Sequence, residues 1–500
     1  MPEQNLGMEV MMKKSKTCPQ FSKQAYASAA LLLLSLGFYA FFAAFDGAVI
    51  CVDSPSYIQM NISREPLYSL FLAGLRALFA GVGGDAYLTA AAWIQSILAA
   101  FAAWSLTRFL WKECRLPSVV AAALLCMPFA VSLLCRFAAK RGSMYSNSIL
   151  TEGLAIPLYL LFFRYILEYF FHRTRKSLLL SCLITFLMIS ARKQMLIALA
   201  MLMVCLIAAA VIPGYGEEEK RAPSALGKRL GRGILQAGVC AALILASVSL
   251  FDLGYNYALR GDAVTHSSDG RFITTMAFYT AEREDASYIE DEEIRELFLE
   301  IYDACDAQGY LKHSAGEGWL DRVTHFGDYY DCIQIDTMWP MVNDYVRARY
   351  GDGEVELSEN ADRVMGVINA SVLPHNLGSL MGSFLDNFLS GLITTVAQRK
   401  VILIWYSAFV YLLYAALLLW HFKRARHSRI TATASLTLVS ILCNVGLVSL
   451  VIFCQTRYTI YNMALFYISL ILLIYSFAAR QNLLPKALRW AKLDEADQDV

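Results

Sequence analysis

The amino-acid sequence predicts an all-α polytopic membrane protein, with about ten membrane-spanning helices and one mostly helical extracytoplasmic domain. Of its 500 residues, 57% are hydrophobic and 17% are charged, whereas soluble globular chains are about half apolar and about a quarter charged. The apolar residues are concentrated in runs long enough to cross a bilayer. One polar segment of domain size, at 253–398, separates two groups of these runs.

The apolar runs place the predicted spans at roughly 27–47, 86–107, 117–135, 148–170, 178–191, 194–213, 234–252, 400–420, 430–453 and 460–479. The fifth run is short for a full crossing, and only Arg192, Lys193 and Gln194 join it to the sixth. Two crossings and a re-entrant pair are both compatible with this pattern. In both cases Arg192 and Lys193 lie on the outer side.

Basic clusters alternate with the spans and predict the orientation. If every span crosses once, they all fall on one side, which the positive-inside tendency assigns to the cytoplasm. The clusters are Lys13, Lys14 and Lys16; Lys112 and Arg115; 172–176; Lys228, Arg229 and Arg232; and Lys423, Arg424, Arg426 and Arg429. Both termini are then cytoplasmic, the first span is a retained anchor, and the outer face is extracytoplasmic, as in a plasma or inner membrane.

The predicted organisation has four parts: an N-terminal transmembrane module (1–252) with a first outer loop (48–85), the extracytoplasmic domain (253–398), C-terminal transmembrane helices (399–480) and a cytoplasmic tail (481–500). In the loop, Pro66 fits the first position of a helix, and the apolar run Leu70–Ala80 predicts a helix along the membrane interface. In the domain, helical spacing predicts helices around 294–301, around 364–368 with Ser358 as N-cap, and at 376–396, the last of them amphipathic.

Composition also excludes some classes of function. The formal net charge is +1, and no basic domain is present that would bind nucleic acid. No CxxC motif or His/Cys cluster predicts a zinc site. Cys305 and Cys332 are the two cysteines of the large outer segment, and a disulfide between them is one possibility in an oxidising compartment.

Asp53 is the most distinctive candidate for catalysis. It follows the first span inside a turn that contains Ser54, Pro55 and Tyr57. A carboxylate held near an apolar surface tends to have a raised pKa, which suits a general base acting on a hydroxyl. The alternative is that Asp53 only caps the short helix that follows it.

Several charged side chains are expected near Asp53 on the outer face. Arg64 is either a phosphate ligand or the partner that holds Asp53, and Glu65 lies at the N-terminus of the helix that Pro66 begins. Glu152 opens the fourth span, where an acid is either functional or paired with an arginine. Cations that would favour a phosphate are Lys140, Arg141, Arg192, Lys193 and Arg457, although Arg457 is also explained by snorkelling to the headgroups.

Four of these features resemble the GT-C superfamily, the integral-membrane glycosyltransferases of the mannosyltransferase and aminoarabinose-transferase kind that use polyprenyl-phosphate-linked sugars. They are Asp53-Ser54-Pro55-Ser56-Tyr57 after the first span, the run from Arg64-Glu65-Pro66-Leu67-Tyr68 to Leu72, Thr151-Glu152-Gly153-Leu154, and Arg457-Tyr458. The resemblance covers the first ~200 residues best and the last ~50 loosely. The segment 253–398 matches no family by its motifs.

The resemblance implies a GT-C-like helical bundle in which Asp53 is the base and the sugar carbon is inverted. Arg192, Lys193 and Arg457, with Lys140 and Arg141, would bind the donor phosphate, while Arg64, Glu65, Tyr57 and Tyr68 would support the site. It also implies a possible divalent metal, Mg or Mn, at Glu152. Many relatives carry an acidic pair in the first loop, whereas Ser54 follows Asp53 here, which puts the metal in doubt.

The sequence therefore predicts a membrane glycosyltransferase. It would move a sugar from a polyprenyl phosphate to a glycan, lipid or protein acceptor, in contact with membrane lipids and without nucleic acid. Two alternatives stay open. One is a ligase or polymerase of lipid-linked glycans, in which the outer arginines matter and Asp53 does not. The other is a non-catalytic transporter or assembly protein for cell-envelope glycans, although transporters tend to place ionisable residues near the midplane.

Overall fold

The computed structural model describes residues 23–138, 143–212, 226–266, 270–426 and 428–485, and these segments are helical throughout apart from turns and one isolated β-bridge. The first half contains α1 (Lys23–Asp46), α2 (Ser54–Ile58), α3 (Pro66–Leu78), α4 (Ala86–Glu113), α5 (Ser118–Ala138), α6 (Glu152–His172), α7 (Arg175–Ala191), α8 (Leu196–Val211) and α9 (Leu226–Arg260). Short 3₁₀ turns occupy Tyr145–Asn147 and Lys193–Met195.

The second half contains α10 (Gly270–Thr280), α11 (Glu292–Ala307), α12 (Trp319–Asp331), α13 (Trp339–Tyr350), α14 (Glu354–Val372), α15 (Leu377–Val396), α16 (Val401–Arg424), α17 (Arg429–Val451), α18 (Thr456–Thr459) and α19 (Met463–Arg480). A π-helical segment, Cys332–Met338, joins α12 to α13. The 3₁₀ turns of this half lie at Arg283–Tyr288, Lys312–Ser314, Leu373–Asn376 and Ile460–Asn462.

Nine helices in the described part of the chain are long and apolar enough to cross a membrane, so the prediction of an all-α polytopic membrane protein is confirmed. They are α1, α4, α5, α6, α8, α9, α16, α17 and the stretch Thr456–Arg480. The predicted span 178–191 corresponds to α7, which has 17 residues and is not among the nine. With a rise of about 1.5 Å per residue, α7 is somewhat shorter than the hydrocarbon core of a bilayer, which is about 30 Å thick.

Two groups of paired polar side chains lie at opposite ends of the helix bundle. At one end, Glu113 at the close of α4 pairs with His172 at the close of α6 (3.1 Å) and with Arg429 at the start of α17 (3.4 Å). At the other end, Glu152 at the start of α6 pairs with Arg192, just past α7. The predicted basic residues Lys13, Lys14 and Lys16 and most of the tail lie outside the described residues.

The segment 253–398 has its own apolar core, formed by α10 to α14 around the stacked rings of Phe278 and Phe298. The predicted helices in this segment are present, but Ser358 is not an N-cap. It lies inside α14, which begins at Glu354 after Gly353. Asp291 is an N-cap of this segment, at α11, and its carboxylate accepts a hydrogen bond from the backbone of Ile294. Cys305 and Cys332 are both free thiols, so no disulfide joins them.

Hydrogen bonds join the first outer loop to the segment before α6. The backbones of Val49 and Ser148 form the isolated bridge, and the hydroxyl of Ser54 donates to the carbonyl of Ile149 (2.8 Å). Gln95 of α4, fully buried, accepts from the Tyr68 hydroxyl (2.8 Å) and donates to the carbonyls of Ser146 and Ser148 (3.1 Å each). Because buried polar groups are costly without partners, these bonds define where α2 and α3 lie relative to α6.

Candidate functional site

Asp53 is placed at the start of α2, but its side chain makes no capping hydrogen bond there. The carboxylate instead forms two ion pairs, with Arg64 Nη2 at 3.0 Å and with Arg457 Nη2 at 2.7 Å. About a quarter of the side chain remains exposed. In the structure, Asp53 therefore pairs with arginines and does not cap the helix with its side chain.

The charges around Asp53 also correct the expectation of a raised pKa. Burial raises the pKa of this carboxyl, but the guanidinium groups of Arg457 and Arg64 together outweigh it and hold the pKa below its ordinary value. Ion pairs favour the charged form more strongly here than the apolar surroundings disfavour it. Asp53 is thus a carboxylate at neutral pH.

Glu152 forms the buried centre of the site. Its side chain is fully buried, and one carboxylate oxygen accepts from both Arg192 and Arg457. The other oxygen accepts from the hydroxyl of Thr151 (3.3 Å). The sequence leaves two roles open for Glu152, a functional acid or the partner of an arginine. The structure contains the pairing with arginine.

The donor set around Glu152 does not fit the divalent metal suggested from the sequence. Arginines occupy the positions next to its carboxylate, and they do the same at Asp53. Among the described residues, no group of three His, Cys, Asp or Glu side chains converges in a way that could hold a metal ion. Mg²⁺ and Mn²⁺ prefer several oxygen ligands.

Arg192 occupies an extended position (φ −164°) between α7 and the 3₁₀ turn Lys193–Met195. Its guanidinium lies over the ring of Tyr458 at 5.3 Å, and its side chain is 12% exposed. The neighbouring backbone N–H of Lys193 donates to the carboxylate of Glu65. The tip between α7 and α8 therefore contacts both the first outer loop and the segment of Arg457.

The predicted supporting residues are packed beneath Asp53. The Arg64 guanidinium lies 4.7 Å from the centre of the Tyr57 ring, and its Nε donates to Ser56 Oγ at 2.8 Å. Tyr57 meets Tyr68 edge to face at 5.2 Å. Burial raises the pKa of Tyr57 to about 12, so its hydroxyl stays protonated. These contacts hold Arg64 in a single direction, toward Asp53.

Two of the predicted cations are not placed by the structure. Lys140 and Arg141 lie outside the described residues. Arg136, in the last turn of α5 and four residues before Lys140, forms an ion pair with Asp46 at 2.9 Å. Arg136 thus adds no charge to the Asp53 cluster.

Sequence reasoning missed Arg271, at the start of α10 in the segment 253–398. Its guanidinium lies against the rings of Phe272 (5.0 Å) and Trp339 (5.6 Å), and its Nε is buried without a hydrogen-bond partner in the described residues. Burial lowers the pKa of this guanidinium, and the nearby charge of Arg64 lowers it further. Nothing in the local sequence distinguishes Arg271 from an ordinary surface arginine.

A second missed residue is Asp331, at the end of α12. The residue is exposed overall, but its carboxyl is partly shielded from water, and the charges of Asp53 and Arg457 act on it. This shielding, followed by the charges of Asp336 and Asp53, raises the pKa of the carboxyl. A carboxyl with a raised pKa near Asp53 is thus in the segment that the sequence left without an assigned role.

Four guanidinium groups, of Arg64, Arg192, Arg271 and Arg457, are set against the two carboxylates of Asp53 and Glu152 at the centre of the cluster. Glu65 and Asp331 add two acids at its edge. The excess of guanidinium groups at the centre, where the start of α6, the end of α7 and α18 meet, is suited to an anionic group.

No family model and no curated protein matches the chain. Among solved structures, the chain is similar to ArnT from Cupriavidus metallidurans bound to undecaprenyl phosphate, with 11% identity over 93% of this chain and 80% of that chain and a TM-score of 0.25.

The lowered pKa of Asp53 predicts a specific pH dependence of stability. A carboxyl whose folded pKa is depressed stabilises the fold fully above its unfolded pKa and loses that contribution as the pH falls through the folded value. The difference in melting temperature between the wild type and Asp53→Asn should therefore be constant from pH 7 to about pH 5 and should shrink below the ordinary value of 3.8. Thermal unfolding in detergent across this range measures it. A difference that grows on acidification would show that the ion pairs do not stabilise the charged form.

Proposed function

We propose that this chain is a membrane glycosyltransferase that uses a polyprenyl-phosphate-linked sugar on the extracytoplasmic face. The observation that carries the proposal is the cluster itself. An ionised carboxylate, Asp53, lies between Arg64 and Arg457, and four guanidinium groups face the two carboxylates at the centre of the cluster. The carboxylate can accept the proton of an acceptor hydroxyl, and the arginines can stabilise the charge of a lipid phosphate.

In the proposed reaction, Asp53 accepts the proton of the acceptor hydroxyl. The acceptor oxygen bonds to the anomeric carbon from the side opposite the phosphate, and the bond from that carbon to the phosphate oxygen breaks with its electron pair left on the phosphate. The sugar carbon is inverted. The leaving phosphate changes from one negative charge to two, and fixed guanidinium groups aimed at it stabilise that change without reorganising.

The lowered pKa of Asp53 is compatible with this role if substrate binding alters its surroundings. In the substrate-free protein, Arg457 and Arg64 favour the charged form of Asp53. A donor phosphate that engages either arginine would share its charge and weaken that effect. Asp53 would then be ionised before the substrate arrives and become a stronger base once the donor is bound.

Arg271 is proposed as the main ligand of the donor phosphate. The other three arginines of the cluster already pair with Asp53 or Glu152. Arg271 lies against aromatic rings, and its buried Nε has no hydrogen-bond partner in the described residues. Its charge is offset only in part, by the more distant carboxylate of Asp53, and a partly compensated charge that is mostly out of water favours an anionic ligand. In this proposal the arginines supply the charge neutralisation for which the sequence suggested Mg or Mn at Glu152.

Asp53→Asn should abolish sugar transfer, because an amide cannot accept the proton. Transfer is measured from a radiolabelled pool of polyprenyl-phosphate sugars in membranes of matched expression. Asp262→Asn, on an exposed residue two positions past the end of α9, is the control and should keep wild-type activity. Full activity of Asp53→Asn would refute the base assignment and favour the ligase or transporter alternatives. If only Asp331→Asn were inactive, the base would lie in the extracytoplasmic domain.

Arg271→Met should separate binding from stability. We expect the KM for the donor to rise about ten- to a hundred-fold, which corresponds to a loss of about 1.4–2.8 kcal/mol. The melting temperature of the substrate-free protein should stay unchanged or rise, because the variant removes a mostly buried charge that forms no ion pair in the described residues. Arg283→Met, on an arginine with a 57% exposed side chain, is the matched control. An unchanged KM together with a lower melting temperature would make Arg271 structural.

A further inference from the structure

Helix α15 exposes a continuous apolar stripe. Leu377, Met381, Leu385 and Leu389 are 65%, 57%, 53% and 50% exposed. They are spaced four residues apart, so they lie on one face of the helix along most of its length. Single exposed apolar residues are normal on a protein surface, but an uninterrupted row of large ones marks a surface that contacts something apolar.

The opposite face of α15 is polar and buried. Ser383, Asn387, Ser390 and Thr394 are each at most 5% exposed. Asn387 donates from Nδ2 to the carbonyl of Ile452 (2.8 Å) and accepts from the backbone N–H of Cys454 (2.7 Å). A helix on the surface of a water-soluble domain has the reverse arrangement, with its apolar face inward. The pattern of α15 is that of a helix with apolar surroundings.

Charged contacts of α15 are confined to the side that meets the extracytoplasmic domain. Asp386 accepts from Arg322 Nε and Nη2 at 2.6 and 2.9 Å. Lys312 Nζ donates to the carbonyl and hydroxyl of Ser379 at 2.7 and 2.9 Å. These bonds attach α15 to α12 and to the segment before it, and they leave the apolar stripe uncovered.

The exposed stripe continues into a membrane-spanning helix. Only residues 397–400 separate α15 from α16. The first turns of α16 expose Val401, Ile402, Trp405 and Phe409 at 62%, 77%, 74% and 63%. α16 is one of the nine helices suited to cross the membrane, so the surroundings of these side chains are lipid.

We propose that the stripe of α15 also contacts lipid, and that α15 is embedded in the acyl region of the outer leaflet. The partner is bilayer lipid, and the water-exposed domain then ends before Leu377 and not at residue 398. α15 also contacts the Arg457 segment through Asn387 and Cys454 and through the hydroxyls of Thr394 and Thr459 (3.5 Å). Lipid contact along α15 therefore sets the depth at which Arg457 lies. This inference does not depend on the proposed glycosyl transfer.

Spin labels on the full-length protein in lipid nanodiscs test the proposal. A ketoxime label is attached to p-acetylphenylalanine at position 381 or 385, which avoids the native cysteines and replaces exposed side chains only. Position 409 of α16 is the lipid-facing control. Position 335 is the control in the extracytoplasmic domain, since Ile335 is 56% exposed. Collision rates with oxygen and with a water-soluble nickel chelate are measured at each position.

We expect positions 381 and 385 to behave as position 409 does, with high oxygen and low nickel accessibility. High nickel accessibility, as at position 335, would overturn the proposal by showing that the stripe faces water. Low accessibility to both reagents with an immobilised label would also overturn it, because a second copy or another protein would then cover the stripe.

Discussion

The structure of the site depends on the buried carboxylate of Glu152, which pairs with two arginines from distant parts of the chain. Arg192 follows α7 and Arg457 lies in α18, and both reach the same oxygen at the start of α6. Removing one partner of a buried charge network leaves the other charges uncompensated, which typically costs about 3–5 kcal/mol. The three segments are therefore held together, and Arg457 is oriented so that its second nitrogen reaches Asp53.

The polar contacts around this network have a common consequence for the first outer loop. Gln95 and Ser54 attach the loop to the segment before α6, and Glu65 attaches it to the tip after α7. The loop thus places Asp53 over Glu152 without relying on a regular helix cap. Since two arginines determine the charge state of Asp53, any ligand that competes for those arginines also changes its basicity.

The sequence predicted the parts of the structure that depend on local periodicity and composition. The apolar runs predict nearly all of the helices that are long enough to span a membrane. Pro66 is predicted as the first residue of a helix and is the first residue of α3. Arg192 and Lys193 are predicted at a tight turn, and they lie between α7 and α8. Asp53, Arg64, Glu152, Arg192 and Arg457 were all named as candidates, and the structure brings these five together. The sequence leaves two roles open for Arg64, a phosphate ligand or the partner of Asp53, and the structure contains the pairing with Asp53.

What the sequence did not predict depends on contacts between distant residues. The pKa of Asp53 was expected to be raised, because its apolar neighbours in the chain are visible in the sequence and Arg457, about 400 residues away, is not. Arg271 and Asp331 join the site only because the segment 253–398 packs against it. Ser358 has the right residue type for an N-cap, but α14 begins before it, at Glu354.

The most direct test of this network is a double-mutant cycle on Glu152 and Arg192, measured as thermal stability in detergent. Glu152→Gln and Arg192→Met should each lower the melting temperature strongly, and the double variant should be less destabilised than the sum of the two. The control Glu359→Gln, on an exposed residue of α14, should leave it unchanged. Small and additive effects of the two single variants would contradict the central role of Glu152, and the site would then have to be held together by the loop contacts alone.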